Sequence, residues 1–195
     1  MSPTPRRLIL ASKSPRRHDL LSKMGFVFTV DAPDVDENIQ GAPCEMVKLL
    51  SERKAMAVCA RYDYGWIVAA DTLVALDDKA LGKPKDEEDA FRMLSSLSGK
   101  KHQVYTGVCL MDAKTGDCLS KSVRSDVYFK SLTPDQIRSY IETKEPMDKA
   151  GAYAIQGGAA AFIEKYEGSY DNIVGFPTEE FRRMYSEFAL KHTEE

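Results

Sequence analysis

The sequence predicts an α/β fold, because strand-like apolar runs alternate with segments whose apolar residues recur at helical spacing. The clearest runs are Leu8–Ala11 and Trp66–Ala70, which have no polar break, as in strands buried on both faces. The longest predicted helix covers Pro43–Arg61. Its predicted buried stripe consists of Met46, Leu49, Leu50, Ala57 and Ala60. We therefore expect a sheet with helices packed against it.

The first strand leads through a turn of small residues into a predicted helix at Pro15–Met24. Ser14 is placed to cap this helix, and Pro15 suits its first position. The free N–H groups and the dipole at such a helix start attract anions, and Arg16 and Arg17 stand beside them. The pattern indicates either a polyphosphate site or an ordinary capped helix with solvated arginines.

An acidic loop and a lysine of the long helix are the next polar features. A second predicted strand, Phe26–Val30, precedes a loop whose acids are Asp31, Asp34, Asp36 and Glu37. Oxygen ligands grouped in this way suit a hard divalent cation, although a solvated loop has the same composition. Lys54 lies at the edge of the predicted stripe, where it is either a surface lysine or a side chain that reaches a cleft.

The apolar run Trp66–Ala70 ends on Asp71 and Thr72, and α/β proteins place functional groups at the ends of buried strands. Residues 73–81 predict a small hairpin with an acidic two-residue turn. Gly82-Lys83-Pro84 follows it, with Lys83 on a stiff turn.

The second half of the chain predicts three further helices and three further strands. The helices are Glu87–Ser98, Pro134–Glu142 and Pro177–Lys191. The strands are His102–Met111, Cys118–Phe129 and Ala161–Tyr166, and residues 153–158 combine a strand-like start with a glycine pair. The first two strands are joined by a short turn-rich link, which favours antiparallel pairing. Thr133 and Gln136 fit a capping box.

Composition narrows the function classes. The chain has 195 residues, enough for one sizeable domain or two small lobes that share a cleft. Its net charge of -3 lacks the basic surplus typical of nucleic-acid binding. No apolar run is long enough to span a membrane, and Met1 to Arg7 contain no apolar signal core. The four cysteines form no C-x-x-C pair, and we expect them to be reduced and mostly buried. These observations favour a cytoplasmic protein.

Nine short motifs follow one another along nearly the whole chain. They are Leu10-Ala11-Ser12-Lys13-Ser14-Pro15-Arg16-Arg17, Asp36-Glu37, Arg53-Lys54-Ala55, Ala70-Asp71-Thr72, Gly82-Lys83-Pro84, Leu97-Ser98-Gly99-Lys100, His102-Gln103-Val104-Tyr105-Thr106-Gly107, Gly151-Ala152-Tyr153-Ala154-Ile155-Gln156-Gly157 and Asn172-Ile173-Val174-Gly175-Phe176-Pro177. Each is weak alone, but in this order they are specific. On these residues the chain resembles the Maf family of nucleoside triphosphate pyrophosphatases.

The resemblance implies a Maf/ITPase-like α/β fold: an elongated mixed β-sheet flanked by helices, in two lobes with a central cleft. Residues 1–195 would form a single Maf-like domain. The implied reaction is metal-assisted hydrolysis of a nucleoside triphosphate to the monophosphate and pyrophosphate, with Mg²⁺ or Mn²⁺ as the cation and a homodimer as the assembly. Thr72 and Ile155-Gln156-Gly157 are similar to the branch that acts on dTTP and UTP.

Roles for single residues follow from the chemistry and the resemblance together. Water attack on the α-phosphorus requires a base, charge neutralisation and a bound leaving group. The assigned catalytic residues are Asp71 as base and metal ligand, Glu37 as metal ligand, and Lys54 and Lys83 as positive charges along the triphosphate. The assigned substrate-binding residues are Ser12, Arg16 and Arg17 for the phosphates, and Thr72 and Gln156 for the base, with Arg16 also taking part in substrate choice.

Three alternatives stay open from the sequence. One is the family branch that acts on 7-methyl-GTP, which carries a different residue after the aspartate. A nucleotide sensor of cell division would bind the same ligand without needing turnover. Ser51-Glu52-Arg53-Lys54 and Lys114-Thr115-Gly116 also match two motifs of serine β-lactamases, although the third motif fails at Ser125-Asp126-Val127.

Overall fold

A computed structural model of the protein describes residues 7–192. Within this range the chain forms two compact units. The first comprises residues 7–71, 106–123 and 175–192, and the second comprises residues 72–105 and 124–174. The sequence-based reading of the N-terminus rests mainly on residues 1–6, which lie outside the described residues.

The described chain contains strands and helices in alternation. The strands are β1 (Leu8–Leu10), β2 (Phe28–Val30), β3 (Trp66–Leu76), β4 (Lys79–Leu81), β5 (Lys101–Asp112), β6 (Cys118–Phe129) and β7 (Ile163–Glu167). The helices are α1 (Pro15–Lys23), α2 (Pro43–Cys59), α3 (Glu87–Leu97), α4 (Pro134–Glu142), α5 (Tyr170–Val174) and α6 (Thr178–Lys191). The strands pair in the order β2-β1-β3-β5-β6-β7, and β4 pairs with β3. Both parallel and antiparallel pairs occur, which confirms the predicted mixed α/β class.

The first unit is built around the parallel pairs of β1. Ile9 lies opposite Thr29 of β2 on one side and Ile67 of β3 on the other. Helix α2 lies very close to this sheet, because a Cβ atom added to Gly107 of β5 would stand 2.1 Å from the carbonyl oxygen of Val47. Only glycine permits such an approach of two backbones. The core of this layer consists of Ile9, Ala11, Ala55, Val58, Ile67, Ala69, Cys109 and Met111.

The hairpin and the capping box predicted for residues of the second unit are confirmed. Val74 of β3 pairs antiparallel with Leu81 of β4, and Asp77 and Asp78 in the turn both have positive φ, as a type I′ hairpin turn requires. Asp86 caps α3 by accepting a hydrogen bond from the Asp89 N–H at 2.7 Å. The predicted capping box of α4 is present, with both reciprocal hydrogen bonds formed.

Three of the predicted elements differ most from the structure. The strand expected to end at Ala70 continues through Asp71 and Thr72 as β3, because backbone pairing is indifferent to these polar side chains. The loop expected after Gly168 contains α5, at whose start the Ser169 hydroxyl accepts a hydrogen bond from the Asn172 N–H. No strand forms at residues 153–158, and the strand that follows begins at Ile163.

The buried stripe of α2 is displaced from its predicted position. Leu49 is 42% exposed, Met46 and Ala57 are half-buried and Ala60 is exposed, so the predicted stripe is wrong except at Leu50. The observed stripe is Val47, Leu50, Ser51, Lys54, Ala55 and Val58, together with the first-turn Pro43. A polar and a charged residue therefore occupy buried positions, which the apolar pattern alone does not indicate.

The cysteines differ from the expectation in burial but not in oxidation state. All four are free thiols, yet only Cys109 is buried, and Cys118 is exposed because it lies at the start of β6. The sulfur atoms of Cys109 and Cys118 are 3.1 Å apart, within thiol hydrogen-bond distance. This contact, followed by burial, raises the pKa of Cys109.

His102 of β5 is a fully buried polar residue of the second unit. Its Nε2 atom lies 2.8 Å from the hydroxyl of Tyr153, and the rings of Phe129 and Tyr153 meet it edge to face. Burial lowers the pKa of His102 to about 4, against smaller opposing effects of the Lys100 backbone and the Asp126 charge. The imidazole is therefore neutral in the folded protein at neutral pH.

This burial predicts a specific loss of stability in acid. The unfolded chain takes up a proton at His102 near pH 6.5, whereas the folded chain does so only near pH 4. The contribution of His102 to the free energy of unfolding is therefore complete above pH 6.5. It falls by about 3 kcal/mol as the pH drops towards 4, at 1.36 kcal/mol per pKa unit. Urea unfolding of the wild type and of His102→Gln at pH 7 and pH 4 measures this loss of the free energy of unfolding. The wild type should lose more free energy of unfolding than the variant, and equal losses would contradict the assignment.

Candidate active site

Lys54 of α2 joins two carboxylates in the first unit. Its Nζ atom lies 2.6 Å from Oδ1 of Asp71 and 2.6 Å from Oε1 of Glu37. The side chains of Lys54 and Asp71 are only 10% and 11% exposed, whereas that of Glu37 is 53% exposed. Three of the four predicted catalytic residues therefore meet at one ammonium group.

The positions of these groups follow from the elements that carry them. Lys54 lies on the buried stripe of α2, and Asp71 lies inside β3 directly after the buried residues Ala69 and Ala70. An ammonium or carboxylate removed from water is tolerated only when it is paired and hydrogen-bonded. The pair therefore holds the helix and the strand in register at this point.

The acidic loop delivers a single carboxylate to this cluster. Asp31 is occupied elsewhere, by Arg61 and by the hydroxyl of Tyr62. Asp36 accepts the N–H of Asn38 at 2.8 Å, which forms a turn, and only Glu37 reaches Lys54. The loop is thus a support for Glu37 rather than a general acidic surface.

The start of α1 holds the second group of predicted residues. Ser14 occupies the cap position, but its side chain makes no capping hydrogen bond, so that prediction is wrong. The Ser14 N–H instead donates to the hydroxyl oxygen of Ser12 at 3.1 Å. Nη1 of Arg17 also donates to this oxygen, at 3.4 Å, and Nε of Arg17 donates to the carbonyl of Gly175 at 2.9 Å.

The guanidinium of Arg17 interacts electrostatically with the carboxylates of Asp71 and Glu37. Burial lowers the pKa of its guanidinium, the charge of Asp71 opposes this effect, Arg16 adds to it, and Glu37 opposes it. Arg16 is half-buried on the same first turn of α1, which contains no acidic residue. The structure therefore places Ser12, Arg16 and Arg17 together at a helix start whose first turn carries no acidic residue.

The three remaining predicted residues belong to the second unit. Thr72 follows Asp71 on β3, so its side chain points to the opposite face of the strand. Lys83 is exposed after β4 and makes no hydrogen bond or ion pair within residues 7–192. Gln156 is exposed in a turn.

Two residues that hold this site were not assigned from the sequence. Gly175 contributes its carbonyl to Arg17 across 158 residues of chain, and Arg53 donates to the Asp36 carbonyl at 3.5 Å beside Glu37. Both lie within the recognised motifs, so the signal was present. Gly175 acts through its own backbone carbonyl, and Arg53 acts on the backbone carbonyl of Asp36. Residue types do not reveal contacts with the backbone.

The donor set suits a hard cation. Within residues 7–192 no group of three or more His, Cys, Asp and Glu side chains is arranged to hold a metal ion. Mg²⁺, however, commonly takes one or two protein carboxylates and completes its shell with water and phosphate. Glu37 and Asp71 fit that requirement, because two carboxylate oxygens already converge on a single positive atom.

Comparison with known proteins identifies the family of this chain. A family model described as Maf-like protein matches residues 7–188. The chain belongs to the Maf family. It is 48% identical over 174 residues to a dTTP/UTP pyrophosphatase of Desulforamulus reducens, a match that covers 88% of this chain and 91% of that protein. A dTTP/UTP pyrophosphatase of Pelotomaculum thermopropionicum is 46% identical over 185 residues, which is 94% of this chain and 97% of that protein.

Membership of the Maf family removes the β-lactamase alternative, and the geometry agrees. The hydroxyl of Ser51 donates to the Lys48 carbonyl at 2.7 Å inside the buried stripe of α2, and Lys54 is engaged by carboxylates. Neither residue is arranged as a nucleophile and its base.

Among the described residues, no helix has the length and apolar content needed to cross a membrane.

The contact between Lys54 and Asp71 predicts strong energetic coupling. Removing one member of a buried ion pair strands the other and costs roughly 3–5 kcal/mol, whereas removing both avoids that penalty. Lys54→Met and Asp71→Asn should therefore be far less destabilising together than the sum of the single variants. Urea unfolding of the four proteins in a double-mutant cycle measures this coupling.

The half-exposed partner supplies a matched control. A cycle of Lys54→Met with Glu37→Gln should show a coupling of at most about 1 kcal/mol, because the Glu37 side chain is 53% exposed. Additive effects of the Lys54 and Asp71 substitutions would show that the two side chains do not form the described pair.

Proposed function

We propose that this chain hydrolyses dTTP and UTP to the nucleoside monophosphate and pyrophosphate by attack of water on the α-phosphorus. The observation that carries the proposal is the meeting of Asp71, Glu37 and Lys54 at 2.6 Å, near an arginine-bearing helix start. Membership of the Maf family and the printed names of relatives in Desulforamulus reducens and Pelotomaculum thermopropionicum support the substrate.

In the proposed reaction, Asp71 accepts the proton of the attacking water. The new bond joins the water oxygen to the α-phosphorus, and the bond from that phosphorus to the oxygen bridging to the β-phosphorus breaks. Pyrophosphate leaves with the electron pair of that bond. Lys54 contacts Oδ1 of Asp71, and we assign Oδ2 to the proton transfer. The ammonium keeps the carboxylate in one orientation, as a positioned base requires.

The basic residues bind the negative charge of the triphosphate. Arg16 and Arg17 offer planar forks of N–H groups that match phosphate oxygens. The hydroxyl oxygen of Ser12 accepts hydrogen bonds from Ser14 and Arg17. Its O–H therefore remains to donate a hydrogen bond to a phosphate oxygen. Glu37 and Asp71 would hold Mg²⁺ or Mn²⁺, and a bound divalent cation supplies neutralisation of the triphosphate charge.

Three further assignments of the proposal fall on residues of the second unit. Lys83 is assigned to transition-state charge, and its exposure without an ion-pair partner among the described residues supports this role. Thr72 and Gln156 are assigned to the base edge, where a hydroxyl and an amide can pair with the oxygens and the N3–H of a pyrimidine. The match of these positions to the dTTP and UTP branch is the support for that choice.

Assembly and compartment are part of the same proposal. We propose a single Maf-like domain over residues 1–195, a homodimer and a cytoplasmic location. The family match over residues 7–188 supports the first of these, and the family resemblance supports the second. The four free thiols are typical of a reducing compartment, which supports the third.

Asp71→Asn tests the proposal because it keeps the shape of the side chain and removes the base. Pyrophosphate release from dTTP and UTP should fall roughly 10²–10⁴-fold, the usual contribution of a general base, while calorimetry still detects dTTP binding. Asp78→Asn, in the exposed turn of the hairpin, is the matched control and should retain wild-type turnover.

A substrate panel separates the alternatives. Release of pyrophosphate is measured for dTTP, UTP, CTP, dATP, GTP and 7-methyl-GTP with Mg²⁺ or Mn²⁺. Preference for dTTP and UTP supports the proposal, whereas preference for 7-methyl-GTP would assign the chain to the other branch. Tight binding of nucleotides without release from any of them would replace the enzyme with a sensor.

A further inference from the structure

Gln156 projects from a turn that is anchored on both sides. The Gly157 N–H donates to the Ala154 carbonyl at 3.1 Å, which closes a four-residue turn with Ile155 and Gln156 at its centre. Ile155 is buried and Gln156 is exposed, so the turn presents the amide outward from a fixed base.

Two side chains hold the backbone of this turn. The hydroxyl of Tyr140, on α4, accepts the N–H of Ala154 at 3.2 Å. Oε2 of Glu145, three residues after α4, accepts the N–H of Gly158 at 3.0 Å. The turn is therefore tied at its first residue and immediately after its last residue by groups that belong to one neighbouring segment.

The two glycines after Gln156 are explained by the same contacts. A Cβ atom at Gly157 would lie 1.5 Å from Oε1 of Glu145, and one at Gly158 would lie 3.1 Å from the ring of Tyr140. Burial, and to a smaller extent the Glu145 carboxylate, raise the pKa of Tyr140, so its phenol is neutral across the working pH range. Glycine at these two positions lets the carboxylate and the ring reach the backbone.

We infer that Tyr140 and Glu145 are positioning residues that set base selectivity through Gln156. The inference rests on the proposed function, in which Gln156 contacts the base. An amide carries both an acceptor and a donor, so it pairs with thymine or with cytosine according to how it is presented. Discrimination between the two therefore requires that the backbone carrying the amide be held in one place.

The test compares kcat/KM for dTTP and dCTP in single variants. Tyr140→Phe removes only the hydroxyl, and Glu145→Ala removes the carboxylate. Each should lower the ratio of the two kcat/KM values about five-fold, as expected for one lost hydrogen bond, with a smaller change in kcat for dTTP. Glu145→Gln keeps an oxygen that accepts the Gly158 N–H, and it should restore the ratio.

Two further comparisons isolate the route through Gln156. In a Gln156→Ala background, adding Tyr140→Phe should leave the ratio unchanged, because the group being positioned is gone. Tyr128→Phe removes a tyrosine hydroxyl that lies 3.2 Å from Glu167, and as a matched control it should not alter the ratio. Thermal unfolding of every variant confirms that the proteins compared are folded.

The outcomes distinguish this inference from the proposed function. Lower selectivity in Gln156→Ala, with unchanged selectivity in Tyr140→Phe and Glu145→Ala, would overturn the inference and leave the function intact. Unchanged selectivity in Gln156→Ala would overturn both the role of Gln156 and the inference. A wild type that does not hydrolyse dTTP would instead overturn the proposed function itself.

Discussion

The burial of one lysine organises the candidate active site. Lys54 occupies a position on α2 that faces the sheet, and a buried ammonium needs carboxylates within contact distance. Asp71 on β3 and Glu37 from the acidic loop meet that need, at 2.6 Å each. The close approach of α2 to β5 at Gly107 makes the arrangement possible, because any larger residue would push the helix outward. A strand, a helix and a loop are thereby fixed at one point.

The electrostatic balance of the cluster bears on the divalent cation of the proposed reaction. One ammonium lies between two carboxylates, and the guanidinium of Arg17 interacts with both of them. A bound triphosphate adds several negative charges, so the cluster needs further positive charge before the ligand is neutralised. Arg16 and the positive end of α1 supply part of it. This need gives the divalent cation of the proposed reaction a physical reason.

Features that depend on neighbouring residues were predictable from the sequence. The capping box at Thr133 and the hairpin turn at Asp77 use contacts only a few residues apart, so the local pattern contains the whole interaction. The first strand and the final helix were predictable because their apolar residues recur regularly. The meeting of Asp71 with Glu37 was expected from the family resemblance and not from the residue pattern.

Features that depend on distant residues were not predictable. The face of α2 that is buried differs from the predicted face by about one position, since Leu49 and Val47 are equally apolar and only packing against the sheet decides between them. The polar residue Asp71 lies within β3, where its carboxylate is tolerated because Lys54 on another element pairs with it. Arg17 is held by the backbone carbonyl of Gly175, and such a backbone contact cannot be read from residue types even though both residues lie in recognised motifs. Long-range pairing determines the site, whereas local patterns determine the elements.

The position of bond cleavage tests the central claim most directly. Turnover of dTTP in ¹⁸O-labelled water, followed by mass spectrometry of both products, shows which phosphorus the water attacks. The account predicts that the label enters dTMP and that the pyrophosphate remains unlabelled. Label in pyrophosphate, or release of inorganic phosphate in place of pyrophosphate, would contradict attack at the α-phosphorus and with it the role proposed for Asp71.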